Sequence, residues 1–124
     1  MADQHLERKP GADMTLKFTG KNTSDKHIYL YVKVNICAGL FGIDILQEEI
    51  WNLALGAKKE ISYSPHTFAL AKTVPPQPFG LGEYQIRTWV KEAETDKEYH
   101  YQEDWLKVAG IEESKVTISN MVWS

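Results

Sequence analysis

One cysteine and four histidines are the side chains of this 124-residue chain best suited to nucleophilic or metal chemistry. Cys37 would act as a nucleophile only if a nearby base or cation lowered the pKa of its thiol. It lies in the run NICAG, and no local signature joins it to one of the histidines: His5, His27, His66 and His100. A free cysteine is usually a small buried hydrophobe, so we predict no catalytic residue here.

The histidines and acids do not form a metal-binding or hydrolytic pattern either. There is no His-x-His, no HExxH and no second cysteine. Acidic pairs such as Glu48-Glu49 and Glu103-Asp104 could supply two carboxylates for glycoside hydrolysis, but acids near strand ends usually protect sheet edges. We therefore predict no metal and no cofactor, and we favour a binding protein over an enzyme while keeping a small enzyme as an alternative.

Aromatic residues are the strongest sign of a binding surface, since the chain has four Trp and six Tyr. In a period-two segment, Trp89 shares a face with Arg87 and Lys91, and an exposed aromatic ring beside cations can anchor a partner or stack on a sugar. His100 and Trp105 follow in the next segment. We predict that these five residues form a binding face. The alternative is that a second layer of the fold covers Trp89.

Alternation of apolar and polar residues predicts the strands that position these side chains. Between residues 28 and 37, aliphatic residues alternate with Tyr29, Tyr31 and other side chains, so we predict a strand with an aliphatic core face. Residues 43–55 fit a strand imperfectly, because Gln47 and Glu49 interrupt the apolar face, and they fit a helical face about as well. We predict a strand, since LALGAKKEISYS then forms a turn and a partner strand.

The stretch TWVKEAETDKEYHYQEDWLKV predicts a long antiparallel hairpin with a charged tip. We expect a bulge near Glu103-Asp104 to bring Leu106 onto the face of Tyr99 and Tyr101. KVTIS then forms a last strand.

Roughly seven to eight short strands without an amphipathic helix predict an all-β, antiparallel sandwich or barrel. We expect residues 1–12 to be a flexible lead-in and residues 13–124 to form a single domain.

The order of turns and strands resembles the first β-barrel domain that follows the catalytic core of animal transglutaminases. The likeness covers residues 12–108 and rests on an Asn-Thr-Ser-Asp turn, a long alternating strand, a Phe-Gly corner, a Leu-Gly-Ala turn and an ISYS strand. Ala57 stands where that family usually has proline, and Cys37 lacks the Gln and Trp neighbours of the family's catalytic cysteine. The resemblance therefore implies an immunoglobulin-like module without the catalytic core, and it does not imply the cross-linking reaction.

Composition argues against several classes of partner. The net charge is -3 and no basic stripe is visible, which argues against nucleic acid. The first residues are polar, unlike a signal peptide, and no apolar run approaches the ~20 residues of a membrane helix. A single cysteine cannot form an internal disulfide. We predict a soluble, cytoplasmic protein with no membrane partner.

Two functions from different classes remain. The first is a non-enzymatic binding or assembly module that contacts a protein or a small ligand through the aromatic and basic face. The second is a small-molecule carrier or small enzyme with a pocket between the sheets. Its predicted lining is Tyr29, Tyr31, Cys37, Trp51, His100 and Tyr101. Edge strands that pair between copies would in addition give a homo-oligomer.

Overall fold

The computed structural model describes residues 4–38, 44–75, 83–108 and 119–123. These residues form nine β-strands and no helix, so the predicted all-β class is confirmed. The strands are β1 (His5–Arg8), β2 (Asp13–Leu16), β3 (Thr19–Lys21), β4 (Ile28–Ala38), β5 (Asp44–Leu55), β6 (Glu60–Ser62), β7 (His66–Ala69), β8 (Tyr84–Glu92) and β9 (Glu98–Val108).

The larger layer is a five-stranded sheet in the order β1-β9-β8-β4-β5. Its central pairs are antiparallel, as predicted, but β1 runs parallel to β9, so the sheet is mixed. β1 lies within residues 1–12, the segment expected to be a lead-in. It is joined to β9 at its start, where the Trp105 N–H donates to the Gln4 carbonyl at 2.8 Å.

The second layer is narrow and consists of two short antiparallel ladders, β2 with β7 and β3 with β6. The ladders follow one another along the same two chain segments, because β2 leads into β3 and β6 leads into β7. The Tyr63 N–H donates to the Phe18 carbonyl at 3.1 Å and links the ladders. Counted over the described ranges, this layer is thus two segments wide and lies above a sheet of five strands.

The core lies between the two layers and confirms the aliphatic face predicted for residues 28–37. Leu30, Val32, Val34 and Ile36 of β4 are all buried. Residues from β2, from the segment after β7, and from β5, β8 and β9 of the main sheet complete the core: Met14, Leu55, Leu70, Val74, Ile86, Val90, Leu106 and Val108. Each large aliphatic side chain that is fully buried contributes about 1.5–3 kcal/mol, so this sandwich packing is the main stabilising term.

The ambiguous segment at 43–55 is a strand, β5, from Asp44 onward, as predicted. The polar residue that interrupts its apolar pattern has a structural role. The Gln47 amide donates to the Ala69 carbonyl at 3.0 Å and accepts from the Ala71 N–H at 2.8 Å. Trp51 stacks on His66 of β7, with ring centroids 3.8 Å apart. These side chains fasten β5 to the second layer.

The hairpin of β8 and β9 is confirmed, but its bulge is not where we expected it. The register shifts at Val90 and Lys91, opposite His100 and Glu98, which leaves Tyr99 as the extra residue. From His100 to Leu106 the pairing is regular, so Leu106 lies on the face opposite Tyr101 and is buried. The expected bulge near Glu103-Asp104 is therefore wrong. Apart from Ser119, the predicted last strand KVTIS lies outside the described residues.

Candidate functional site

The structure divides the five predicted binding residues between the two faces of the main sheet. Arg87, Trp89 and Lys91 of β8 point away from the second layer, and Trp105 of β9 shares that outer face because it pairs with Gln85. His100 pairs with Val90, which is buried, and so it faces the second layer. Four of the predicted residues therefore share a face, and the fifth lies on the other side of the sheet.

Trp89 is the centre of a cluster on the outer face. Its neighbour on β4 is Lys33, whose Nζ lies 5.0 Å from the centroid of the Trp89 ring, and the Nζ of Lys91 lies 6.0 Å from that centroid. Tyr101 of β9 packs against the ring, with centroids 5.1 Å apart. We call Lys33, Arg87, Trp89, Lys91 and Tyr101 the aromatic-basic face. Cations over an aromatic ring are attracted by its quadrupole, so both ammonium groups are drawn towards Trp89.

Trp89 is half-buried. Neighbouring side chains cover it, and no described layer of the fold does. Tyr101 beside it remains 36% exposed. Within the described residues, neither Lys33 nor Lys91 makes an ion pair with a carboxylate. The two ammonium groups can therefore bind an acid supplied by another molecule.

Sequence reasoning placed neither Lys33 nor Tyr101 with Trp89. Alternation did put Lys33 on the outer face of its strand, but only the pairing of β4 and β9 with β8 brings the two residues to the ring. The Tyr101 hydroxyl donates to Glu103 at 2.7 Å. Burial, together with that bond, raises the pKa of Tyr101 to about 12, so the phenol stays a neutral donor at physiological pH.

Cys37 also lies towards this face, but its thiol is not activated. The residue is only 2% exposed. Burial raises the pKa of the Cys37 thiol, and the positive charge of Arg87 offsets this only in part. A raised pKa means less thiolate at neutral pH, which is the opposite of what a cysteine nucleophile requires.

Trp105 belongs to a separate group on the outer face. Along the strands it lies four residues from the Trp89 pair, which corresponds to about 13 Å. It stacks on His5 of β1 with ring centroids 6.3 Å apart, and His5 Nδ1 lies 2.8 Å from an oxygen of Glu83. The position of Trp105 is therefore explained by its contact with β1.

The opposite face of β8 and β9 opens onto a cleft of about 840 Å³ between the layers, which we call the interlayer cleft. In the described part of the chain, the second layer is narrower than the five-stranded sheet, and the cleft lies where the two layers do not overlap. β3 and the loop after it form one wall, and the inner side chains of β8 and β9 form the other. Of the six residues predicted to line a pocket between the sheets, His100 alone is among the described lining residues.

A row of hydrogen-bonded side chains runs along β9 at the cleft. The Gln102 amide nitrogen donates to Asp104 at 2.8 Å, so its oxygen faces Nε2 of His100, also at 2.8 Å. This arrangement assigns the His100 proton to Nε2 and leaves Nδ1 as an acceptor. Asp104, which is buried, also accepts from the Gln4 N–H at 2.9 Å. The row fixes both the orientation of His100 and the start of β1.

The described ranges contain no cluster of three or more His, Cys, Asp or Glu side chains that could hold a metal ion. Over the same ranges, no helix has the length and apolar character required to cross a bilayer.

No family model matches the chain, and no curated protein matches it. Among solved structures, it is similar to Spo0M, a sporulation control protein from Bacillus subtilis, with 14% sequence identity and a TM-score of 0.43. The alignment covers 82% of this chain and 45% of the Spo0M chain, so this chain spans less than half the length of that protein.

Proposed function

We propose that this protein is a non-enzymatic binding module whose aromatic-basic face contacts a protein partner. One observation carries the proposal: Trp89 lies on an outer sheet face with the ammonium groups of Lys33 and Lys91 within 6.0 Å of its ring centroid. Tryptophan, tyrosine and arginine are the residues most enriched at the energetic centres of protein interfaces, and this face combines all of them.

The shape of the face favours a protein over a small ligand. Small-molecule sites are concave and bury most of the ligand, whereas these side chains stand side by side on one face of a sheet. The charges favour a partner surface with carboxylates around an apolar residue, because Lys33 and Lys91 lack acidic partners among the described residues. The immunoglobulin-like classification, the transglutaminase-barrel resemblance and the cytoplasmic location stay predictions.

Substitution of Trp89 tests this proposal. We expect Trp89→Ala to weaken partner binding at least roughly tenfold and to leave the melting temperature nearly unchanged, because the ring is half-buried under side chains alone. Candidate partners are first selected as proteins retained from a native-source lysate by the unchanged protein and lost with Trp89→Ala. Each is then purified, and its dissociation constant is measured for both forms.

Trp123→Ala is the matched control, since it removes a tryptophan that is 99% exposed and lies outside the sheet. The control should bind as the unchanged protein does. A Trp89→Ala form with a strongly lowered melting temperature would show that Trp89 is a core residue. A purified partner that binds Trp89→Ala with undiminished affinity would also refute the proposal.

A further inference from the structure

Among the described strands, β3 pairs with β6 alone, so its other edge, which we call the free edge, presents backbone groups to the interlayer cleft. The Tyr63 N–H donates to the Phe18 carbonyl and the Asn22 N–H donates to the Lys59 carbonyl, so even-numbered residues of this segment bond towards β6. In an antiparallel pair, the residues between them direct their N–H and C=O groups the other way. The backbones of Thr19 and Lys21 therefore point to the unpaired edge, and both residues line the cleft.

The cleft has an apolar floor and a positively charged rim. Leu30, Val90 and neighbouring aliphatic residues form the floor. The described lining residues include Lys17, Lys21 and Lys97 but no aspartate or glutamate, although the chain as a whole has a net charge of -3. Within the described part of the chain, these lysines make no ion pair. The local charge is thus opposite to that of the whole protein, and it favours an anionic occupant.

Two polar groups at the cleft can form a further hydrogen bond. Thr88 lines the cleft, and its hydroxyl, which is not a buried unsatisfied atom, makes no hydrogen bond with the described residues. His100 uses Nε2 on Gln102, which leaves Nδ1 as an acceptor at the cleft wall. A ligand in the cleft can therefore bond to the Thr88 hydroxyl as well as to Nδ1 of His100.

We propose that the interlayer cleft binds an extended acidic peptide segment of a partner protein, which adds to the free edge of β3 as a new strand. Its backbone would bond to Thr19 and Lys21. Alternate side chains would point to the apolar floor, and the others would place carboxylates beside Lys17 and Lys21, whose side chains are exposed. A strand satisfies the spaced donors and acceptors of a sheet edge, which a fatty acid or other small anion cannot do.

The probe is a blocked peptide in which glutamate and valine alternate over about seven residues, a typical strand length. Binding to the full chain is followed by calorimetric titration and by amide hydrogen exchange in NMR spectra. We expect the peptide to protect the Thr19 and Lys21 amides and to change the Gly20 amide little, because that amide already faces β6. A peptide of alternating lysine and valine is the charge control and should not bind.

Two variants act on the two halves of the proposal. Thr19→Pro removes an N–H that points to the free edge and leaves the backbone bonds between β3 and β6 in place, at the loss of one exposed side-chain bond to Ser62, and it should abolish binding. Lys17→Glu combined with Lys21→Glu should weaken binding at least roughly tenfold, because it reverses the charge of the rim. Lys107→Glu is the matched control, since Lys107 is exposed and does not line the cleft, and it should bind normally.

Three results would overturn the proposal. The first is the absence of glutamate-valine peptide binding to the unchanged protein. The second is binding without protection of the Thr19 and Lys21 amides, and the third is binding that survives the double lysine variant in a form that melts normally. Dodecanoate is titrated in parallel, and tight dodecanoate binding without peptide binding would assign the cleft to a lipid-like anion instead. None of these results bears on the aromatic-basic face, which lies on the opposite side of the sheet.

Discussion

The chemistry of individual residues in this protein depends on the face of the sheet to which each one points. Cys37 and Arg87 are near enough for the guanidinium charge to act on the thiol, but burial is the larger influence and raises the thiol pKa. Trp89 is held between ammonium groups that come from two strands. The thiol of Cys37 is therefore kept unreactive, and the hydrophobic ring of Trp89 lies among charged side chains.

Alkylation of Cys37 provides a test at this scale. We expect iodoacetamide to modify Cys37 at least roughly tenfold more slowly in the folded protein than in urea, because the thiol is buried and its thiolate fraction is lowered. The alkylation rate should increase at a higher pH than that of a free thiol, since the pKa of the Cys37 thiol is raised. Mass spectrometry of quenched samples measures both. Folded protein that reacts as fast as unfolded protein would contradict the assignment of Cys37 as inert.

Alternation predicted the shared face of Arg87, Trp89 and Lys91, because a regular strand leaves no other arrangement. It could not predict the position of His100, which depends on where the hairpin bulges. The extra residue is Tyr99, and a one-residue slip reverses the face of every side chain along the affected strand. The sequence contains no local signal that separates a bulge at Tyr99 from one at Glu103-Asp104.

At the scale of elements, the parallel pairing of β1 with β9 is the feature that sequence reasoning missed. The four residues of β1 are too short and too polar to show alternation, and their partner strand lies about a hundred residues away. The buried carboxylate of Asp104 secures the junction by accepting from the Gln4 N–H and the Gln102 amide. That carboxylate is one of the acids we had considered for a hydrolytic pair, and its role is structural.

Asp104→Ala should therefore lower the free energy of unfolding by about 1–3 kcal/mol, because it removes two partly buried hydrogen bonds to a carboxylate, from the Gln4 N–H and from the Gln102 amide. Amide protection should be lost first in β1, at Leu6 and Arg8. Urea denaturation measures the first effect and hydrogen exchange the second. Glu98→Ala, at an exposed position of the same strand, is the control and should change neither. Equal stability of both variants would exclude this role for Asp104.

At the scale of the whole molecule, one sheet carries two surfaces on opposite faces. The outer face presents aromatic rings and two lysines that make no ion pair with any described carboxylate, and the inner face opens into the interlayer cleft. The two-layer all-β architecture was predictable from period-two segments, because such segments must bury one face each. The width of the second layer was not, since it depends on which strands pair, and the cleft follows from that width.

The two surfaces should act independently. We expect Trp89→Ala to leave the affinity for the glutamate-valine peptide unchanged within about twofold, because substitutions that share no partner are usually additive. The Lys17→Glu and Lys21→Glu pair should likewise leave binding of the Trp89-dependent partner unchanged. Each ligand is titrated against the Trp89→Ala variant, the double lysine variant and the variant that combines all three substitutions. The dissociation constants together form a double-mutant cycle. A combined effect that departs from the product of the separate effects would show that the two faces are coupled.

The pairing of β1 with β9 also has a consequence for biosynthesis. The ribosome makes β1 first, but the strand beside which it must lie is made roughly a hundred residues later, and proteins with such distant pairings fold slowly. During translation the β1 segment therefore remains exposed to solvent and has no partner strand. The sheet is completed only when β9 has been synthesised. The polar sequence of β1, HLER, is compatible with this unpaired period, because a short charged segment does not readily nucleate aggregation.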